Sequence, residues 1–144
     1  MAENTRLVKA APQQVWDVLA DGWLYPVWVV GASRMRAVDD SWPEVGSKLY
    51  HSVGVWPALI NDNTEVTAAT PLALLSLRAR GWPVGEAAVH IHLTPVGADT
   101  EVRILEDAVS GPGRLAPPPL RGLTLKWRNT ETLRRLAYIA ESKR

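Results

Sequence analysis

The stretch "GLTLKWRNTETLRRLAYIAESKR", Gly122 to Arg144, decides how the chain is to be folded. Its apolar residues recur at helical spacing, and about 20 residues at 1.5 Å each make a helix of roughly 30 Å. Leu125, Asn129, Leu133, Leu136, Ala137 and Ala140 share one stripe, while Arg128, Glu131, Arg134, Arg135 and Tyr138 lie opposite. Basic residues near the end suit the helix dipole. A helix of this length with one apolar stripe must bury that stripe against another layer.

The preceding residues supply the layer. "ASRMRAV", "SKLYHSVGV", "DNTEVTA", "LLSLRAR", "AAVHIHL" and "TEVRILEDAV" read as six strands, separated by the turn signals "WPEVG", "ATP", "GWPVG" and "PVGAD". Their near-hairpin spacing predicts an antiparallel meander. Ahead of them, "NTRLVKA" reads as a strand. "APQQVWDVLAD" reads as a helix with Pro12 in its first turn and Gly22 ending it. "YPVWVVG", Tyr25 to Gly31, has room for a second short helical turn before the chain extends. Residues 1–144 are therefore expected to form a single α+β domain. Its seven-stranded curved antiparallel sheet wraps around the long C-terminal helix, and two short helices between strands 1 and 2 plug one end. The linker "VSGPGRLAPPPLRG" breaks at Gly111–Gly113 and is expected to run extended through Pro117–Pro119, as a lip beside the space under the helix.

Composition narrows the function. With 144 residues, 47% hydrophobic and 22% charged, the chain can bury a core and is not disordered. A net charge of +1 gives no general attraction to nucleic acid. The absence of cysteine excludes disulfides, thiolate metal sites and a cysteine nucleophile. With no apolar signal segment at the N-terminus, a cytoplasmic location is expected. The apolar run Trp23–Ala32 is far short of the roughly 20 residues of a spanning helix, and Pro26 interrupts it, so no stable membrane insertion is expected. Seven Trp and three Tyr without a single Phe point to semi-polar walls, because a buried indole N–H usually wants a partner.

The element order and the motifs "YPVWVVG", "WPEVGSKLYHSVGVWP", "DNTEV", "EDAVSGP" and "RNTETLRRLA" resemble the polyketide cyclase/dehydrase-like members of the Bet v 1/START (SRPBCC) superfamily. The likeness runs from about Thr5 to Ser142. It implies a helix-grip fold and an internal cavity for a hydrophobic small molecule, and it does not imply a reaction.

Strand alternation sorts side chains by face. In "TEVRILEDAV" the apolar side of Val102, Ile104 and Ala108 carries Glu106 inward. In "SKLYHSVGV", Leu49, His51 and Val53 point inward while Lys48, Tyr50 and Ser52 point outward. Placing Val66 inward brings Asp62 and Thr64 with it. Asn129 interrupts the apolar stripe of the helix between Leu125 and Leu133. Trp28 is expected as a bulky wall at the plugged end, with Trp23 and Tyr25 beside it. The candidate ligand-binding residues are thus Trp28, His51, Val53, Asp62, Thr64, Glu106, Leu125, Asn129 and Leu133.

"HIH", His90 to His92, invites a metal reading. Ala87, Val89, Ile91 and Leu93 claim the inner face of that strand, so both imidazoles point outward without a third ligand, and no metal is expected. Arg78 and Arg80 read as a solvated outer face with Glu65 and Glu101 nearby. "GWPVGEAA" lacks the Gly-Lys-Ser/Thr ending of a phosphate loop, and no cofactor is expected.

Three functions fit. One is binding or carriage of a lipid, polyketide or aromatic molecule, by a monomer or homodimer. The second is a cofactor-independent cyclase or dehydratase, in which His51 or Glu106 moves a proton alpha to a carbonyl and Asn129 or Thr64 holds the enolate oxygen. The third is an interaction module with a vestigial cavity.

Overall fold

The chain was analysed as a computed structural model, which describes residues 2–30, 32–53, 60–81, 85–110 and 118–142. Strand β1 (Ala2–Val8) leads into helix α1 (Pro12–Ala20), a 3-10 turn (Gly22–Leu24) and the one-turn helix α2 (Tyr25–Trp28). Six strands follow: β2 (Ala32–Val38), β3 (Lys48–Val53), β4 (Ile60–Thr70), β5 (Leu74–Gly81), β6 (Gly85–Val96) and β7 (Asp99–Ser110). Helix α3 (Pro118–Ser142) ends the chain.

All seven strands join one antiparallel sheet in the order β1-β7-β6-β5-β4-β3-β2. Five neighbouring pairs are consecutive in sequence, as a meander requires, and β1 closes onto β7 with Val8 opposite Thr100. The helix-grip architecture expected from the sequence is therefore present. The inner face is a set of cross-strand rows. Leu75, Ile91 and Ile104 stand in register across β5, β6 and β7, and all three are fully buried. On β7 the inward alternation of Val102, Ile104 and Glu106 is seen in burial, with Glu101 and Arg103 exposed between them.

Helix α3 begins at Pro118, so Pro118 and Pro119 form its first turn instead of an extended lip. Proline is tolerated there because the first turn needs no amide donors and its fixed φ suits the helix. The rest of the proposed lip, residues 111–117, lies outside the described residues. The stripe of Asn129, Leu133, Leu136, Ala137 and Ala140 is buried, as its spacing predicts, and Thr132 joins it. Polar contacts fix α3 to β1 and the residue after it: Asn4 Nδ2 donates to Thr130 Oγ1 at 2.8 Å, and the Lys9 amide donates to Glu141 Oε2 at 2.9 Å. The Val30 amide donates to Thr132 Oγ1 at 3.3 Å, which ties the residues after α2 to the same helix. Among the described residues no helix is long and apolar enough to cross a membrane.

The outer face of the sheet carries charge. Arg78 pairs with Glu86, and Arg80 pairs with Glu86 at 3.1 Å and Asp62 at 3.7 Å. Glu65 stands opposite Arg78 across β4 and β5, as expected, while the β5–β6 register sets Glu86 opposite Arg80 and Glu101 lies opposite Thr94. His90 alternates with buried Ile91 and bonds Ser76 Oγ through Nδ1 at 2.8 Å. Among the described residues no group of three His, Asp or Glu side chains is placed to hold a metal ion.

Candidate functional site

Helix α2 is short because Pro26 opens it and the chain extends from Val29, whose amide still bonds the Tyr25 carbonyl at 2.9 Å. A single turn brings residues three apart to one side, so Tyr25 and Trp28 are buried together and Val27 is left exposed. Their rings meet edge to face with centroids 5.4 Å apart. Trp23 does not join them. It lies in the preceding 3-10 turn and is 58% exposed, which overturns its expected place in the wall.

The Tyr25 ring also stacks on His51 of β3, at 5.5 Å and 22° between planes. Beneath it runs a hydrogen-bonded chain. Tyr25 Oη lies 3.2 Å from Thr64 Oγ1, and Thr64 Oγ1 lies 2.7 Å from His51 Nε2. Thr64 sits opposite Leu49 on β4, so His51 is its diagonal neighbour on one face of the sheet. Thr64 Oγ1 has two lone pairs and one hydrogen, so it can take the Tyr25 proton and either donate to His51 Nε2 or accept from it. The imidazole proton sits on Nδ1 in the first arrangement and on Nε2 in the second. Burial lowers the His51 pKa below 6.5, so the ring holds one proton at neutral pH; the field of Asp62 opposes that shift and the field of Arg36 assists it. Burial raises the Tyr25 pKa above 10, and the hydroxyl stays protonated.

Glu106 is buried at the end of a β7 row and is held by the Arg128 guanidinium. Arg128 was expected on the solvent side of α3. Its side chain instead turns to the sheet and keeps 35% exposure, against 4% for Glu106. A long arginine at the margin of an apolar stripe can lay its stem along the core and carry its head round the helix. Burial lowers the Arg128 pKa, while attraction to Tyr25 works the other way.

Among the described residues four buried polar side-chain atoms have no hydrogen-bond partner: Asn4 Oδ1, on the β1 side chain that bonds α3, and Trp28 Nε1, His51 Nδ1 and Asn129 Nδ2. The last three belong to residues that are each 2% exposed and come from α2, β3 and α3. The contrast with Trp42 is instructive, because that indole is also buried but donates to the Leu19 carbonyl at 3.1 Å. The indole and amide groups are donors by chemistry, whereas His51 Nδ1 donates in one tautomer and accepts in the other. Buried polar atoms are normally satisfied, so these groups call for a partner.

The other sequence candidates are distributed as follows. Leu133 is buried on α3 beside Asn129. Asp62 is partly buried at the sheet end, where one carboxylate oxygen lies 3.7 Å from Arg80 and accepts from the Asn63 amide. The side chains of Val53 and Leu125 lie outside the described residues. Sequence reasoning missed Tyr25 as a hydrogen-bonding centre and Arg128 as the partner of Glu106. The available signal for Tyr25 was its three-residue spacing from Trp28 after a proline.

A family model described as polyketide cyclase / dehydrase and lipid transport matches residues 2–141. No curated protein matches the sequence. Similar solved structures include protein NE0264 from Nitrosomonas europaea, with a TM-score of 0.71 and 16% identity over 99% of this chain and 94% of that one. Ara h 8.0201 gives a TM-score of 0.72 at 10% identity, over 97% of this chain and 96% of that one. The di-domain ARO/CYC StfQ from the steffimycin biosynthetic pathway gives 0.73 at 13% identity, over 98% of this chain and 50% of that one. At these identities the structural likeness speaks for the fold.

Proposed function

Because the chain belongs to the polyketide cyclase/dehydrase and lipid transport family, we propose that it binds a hydrophobic small molecule, a lipid, polyketide or aromatic, between the sheet and α3. The observation that carries this reading is the set of buried polar atoms on Trp28, His51 and Asn129 that lack a partner among the described residues. Leaving a buried polar group unpaired costs about 1–3 kcal/mol, a cost that a ligand with matching groups offsets. Small side chains on the inner face are in keeping with a ligand there. Ala79 and Ala87 stand in register with Thr64 on central strands, yet they remain half-buried. Apolar walls with a few placed polar groups are the usual composition of a small-molecule site.

A cyclase or dehydratase working through His51 and Glu106 has weaker support. Glu106 is engaged by Arg128, whose positive charge disfavours proton uptake by the carboxylate, and His51 is committed to Thr64 through Nε2. The test is native mass spectrometry of protein purified from its own host, with a parallel titration by the neutral apolar dye Nile red. A stoichiometric apolar adduct, or saturable binding of one dye per chain, is expected. Absence of both would remove the proposal.

A further inference from the structure

We infer that this site selects an uncharged ligand bearing acceptor oxygens, such as a ketone, ester or quinone carbonyl, over the carboxylate of the same skeleton. The inference rests on the binding reading above and adds the chemistry of the occupant. Its first support is the sign of the missing partners. Trp28 Nε1 and Asn129 Nδ2 offer hydrogen and lack an acceptor among the described residues, and His51 Nδ1 joins them in the tautomer that accepts from Thr64 at Nε2, so the ligand brings acceptor oxygens. A plain hydrocarbon would leave these donors bare.

The second support is the distribution of charge. Arg128 is the cation that reaches this interior from α3, and Glu106 already occupies it. Arg36 spends its guanidinium on the backbone carbonyls of Asp62, at 2.9 Å, and His51, at 3.5 Å. Asp62 at the sheet end faces Arg80. Tyr25 and His51 are both neutral at physiological pH, for the reasons of burial given above. Among the described residues an incoming carboxylate would thus meet no free countercharge, would lie close to the carboxylate of Glu106, and would lose its hydration there. A carbonyl oxygen accepts the same hydrogen bonds with little desolvation cost.

Three naphthalene probes separate these terms at neutral pH: prodan, a neutral naphthyl ketone; the analogue with carboxylate in place of the propionyl group; and dimethylaminonaphthalene, which lacks the acyl group. Fluorescence titration of the wild type is expected to give prodan at least a ten-fold lower Kd than the carboxylate and several-fold lower than the unacylated amine. Glu106→Gln frees Arg128 and should tighten carboxylate binding at least ten-fold, narrowing or reversing the preference. A wild-type protein that binds the carboxylate as well as the ketone overturns the inference, as does a folded Glu106→Gln protein with an unchanged ratio. If Glu106→Gln does not fold, the wild-type comparison still decides. Failure of all three probes to bind counts against the binding reading itself.

Discussion

His51 shows how burial of one side chain sets a pH response. Its ring is packed under Tyr25 and bonded to Thr64, and burial is the main cause that lowers its pKa below 6.5. The unfolded chain therefore binds the proton more readily than the folded one. Stability contributed by the neutral ring is complete above about pH 6.5 and is lost as pH falls towards the lower folded-state value. The loss has a ceiling of about 1.4 kcal/mol per pH unit for one proton. Urea unfolding at about pH 7.5 and about pH 5.5 should show a steeper decline for the wild type than for His51→Gln. Equal declines would mean that His51 titrates normally in the fold. Strand alternation made the burial of His51, Thr64 and Glu106 legible, because a period of two leaves one choice of face once Leu49, Val66 and Ile104 are placed. Arg128 was not legible. A helical wheel assigns a direction to Cβ, whereas the charged head of an arginine lies several bonds further and chose Glu106.

At the scale of elements, the long regular ones were readable in full, and the short ones between β1 and β2 were readable in position but only in part in which side chains they bury. Twenty-five residues of α3 carry several turns of consistent periodicity, and the twelve-residue strands β6 and β7 repeat their alternation many times. The 3-10 turn and α2 have only three and four residues, too few for any period to declare itself. That is why Trp23 was misplaced while Tyr25 and Trp28, one turn apart, were not. The turn owes its position to a close approach. A Cβ at Gly22 would lie 2.6 Å from Leu49 Cδ2 and 2.7 Å from Val38 Cγ1, inside the contact limit of both. Those side chains belong to β3 and β2, and Leu49 is fully buried. Gly22→Ala should therefore push the turn off the sheet and destabilise the protein by about 1–3 kcal/mol, read as a lower urea midpoint. Because α2 follows directly, the Tyr25–His51 stacking should loosen too. An unchanged midpoint would show that Val38 and Leu49 move aside at no cost.

For the whole molecule, the hydrophobic pattern determined a sheet and a helix that enclose one interior, and that interior is where local rules are broken. Helix α2, strand β3 and the long helix α3 converge on it, and each contributes a polar group without a partner among the described residues. Such groups oppose folding, so a ligand that satisfies them must appear in the stability of the entire domain. The linkage is RT ln(1 + [L]/Kd), which is about 2.7 kcal/mol at one hundred times Kd. A carboxylate analogue bound ten-fold more weakly reaches only ten times its Kd at that concentration, and the same expression gives about 1.4 kcal/mol. For a chain of this size each kcal/mol moves Tm by roughly 2–8 °C. Thermal unfolding at one matched concentration of prodan and of its carboxylate should therefore show about twice the upward shift with the ketone. In a protein carrying Asn129→Leu, one unpaired donor is replaced by an apolar group that needs no acceptor. Its unliganded Tm should hold or rise, while the shift produced by prodan shrinks. A fall in the unliganded Tm with an undiminished prodan shift would mean that Asn129 serves the packing of α3 and not the ligand.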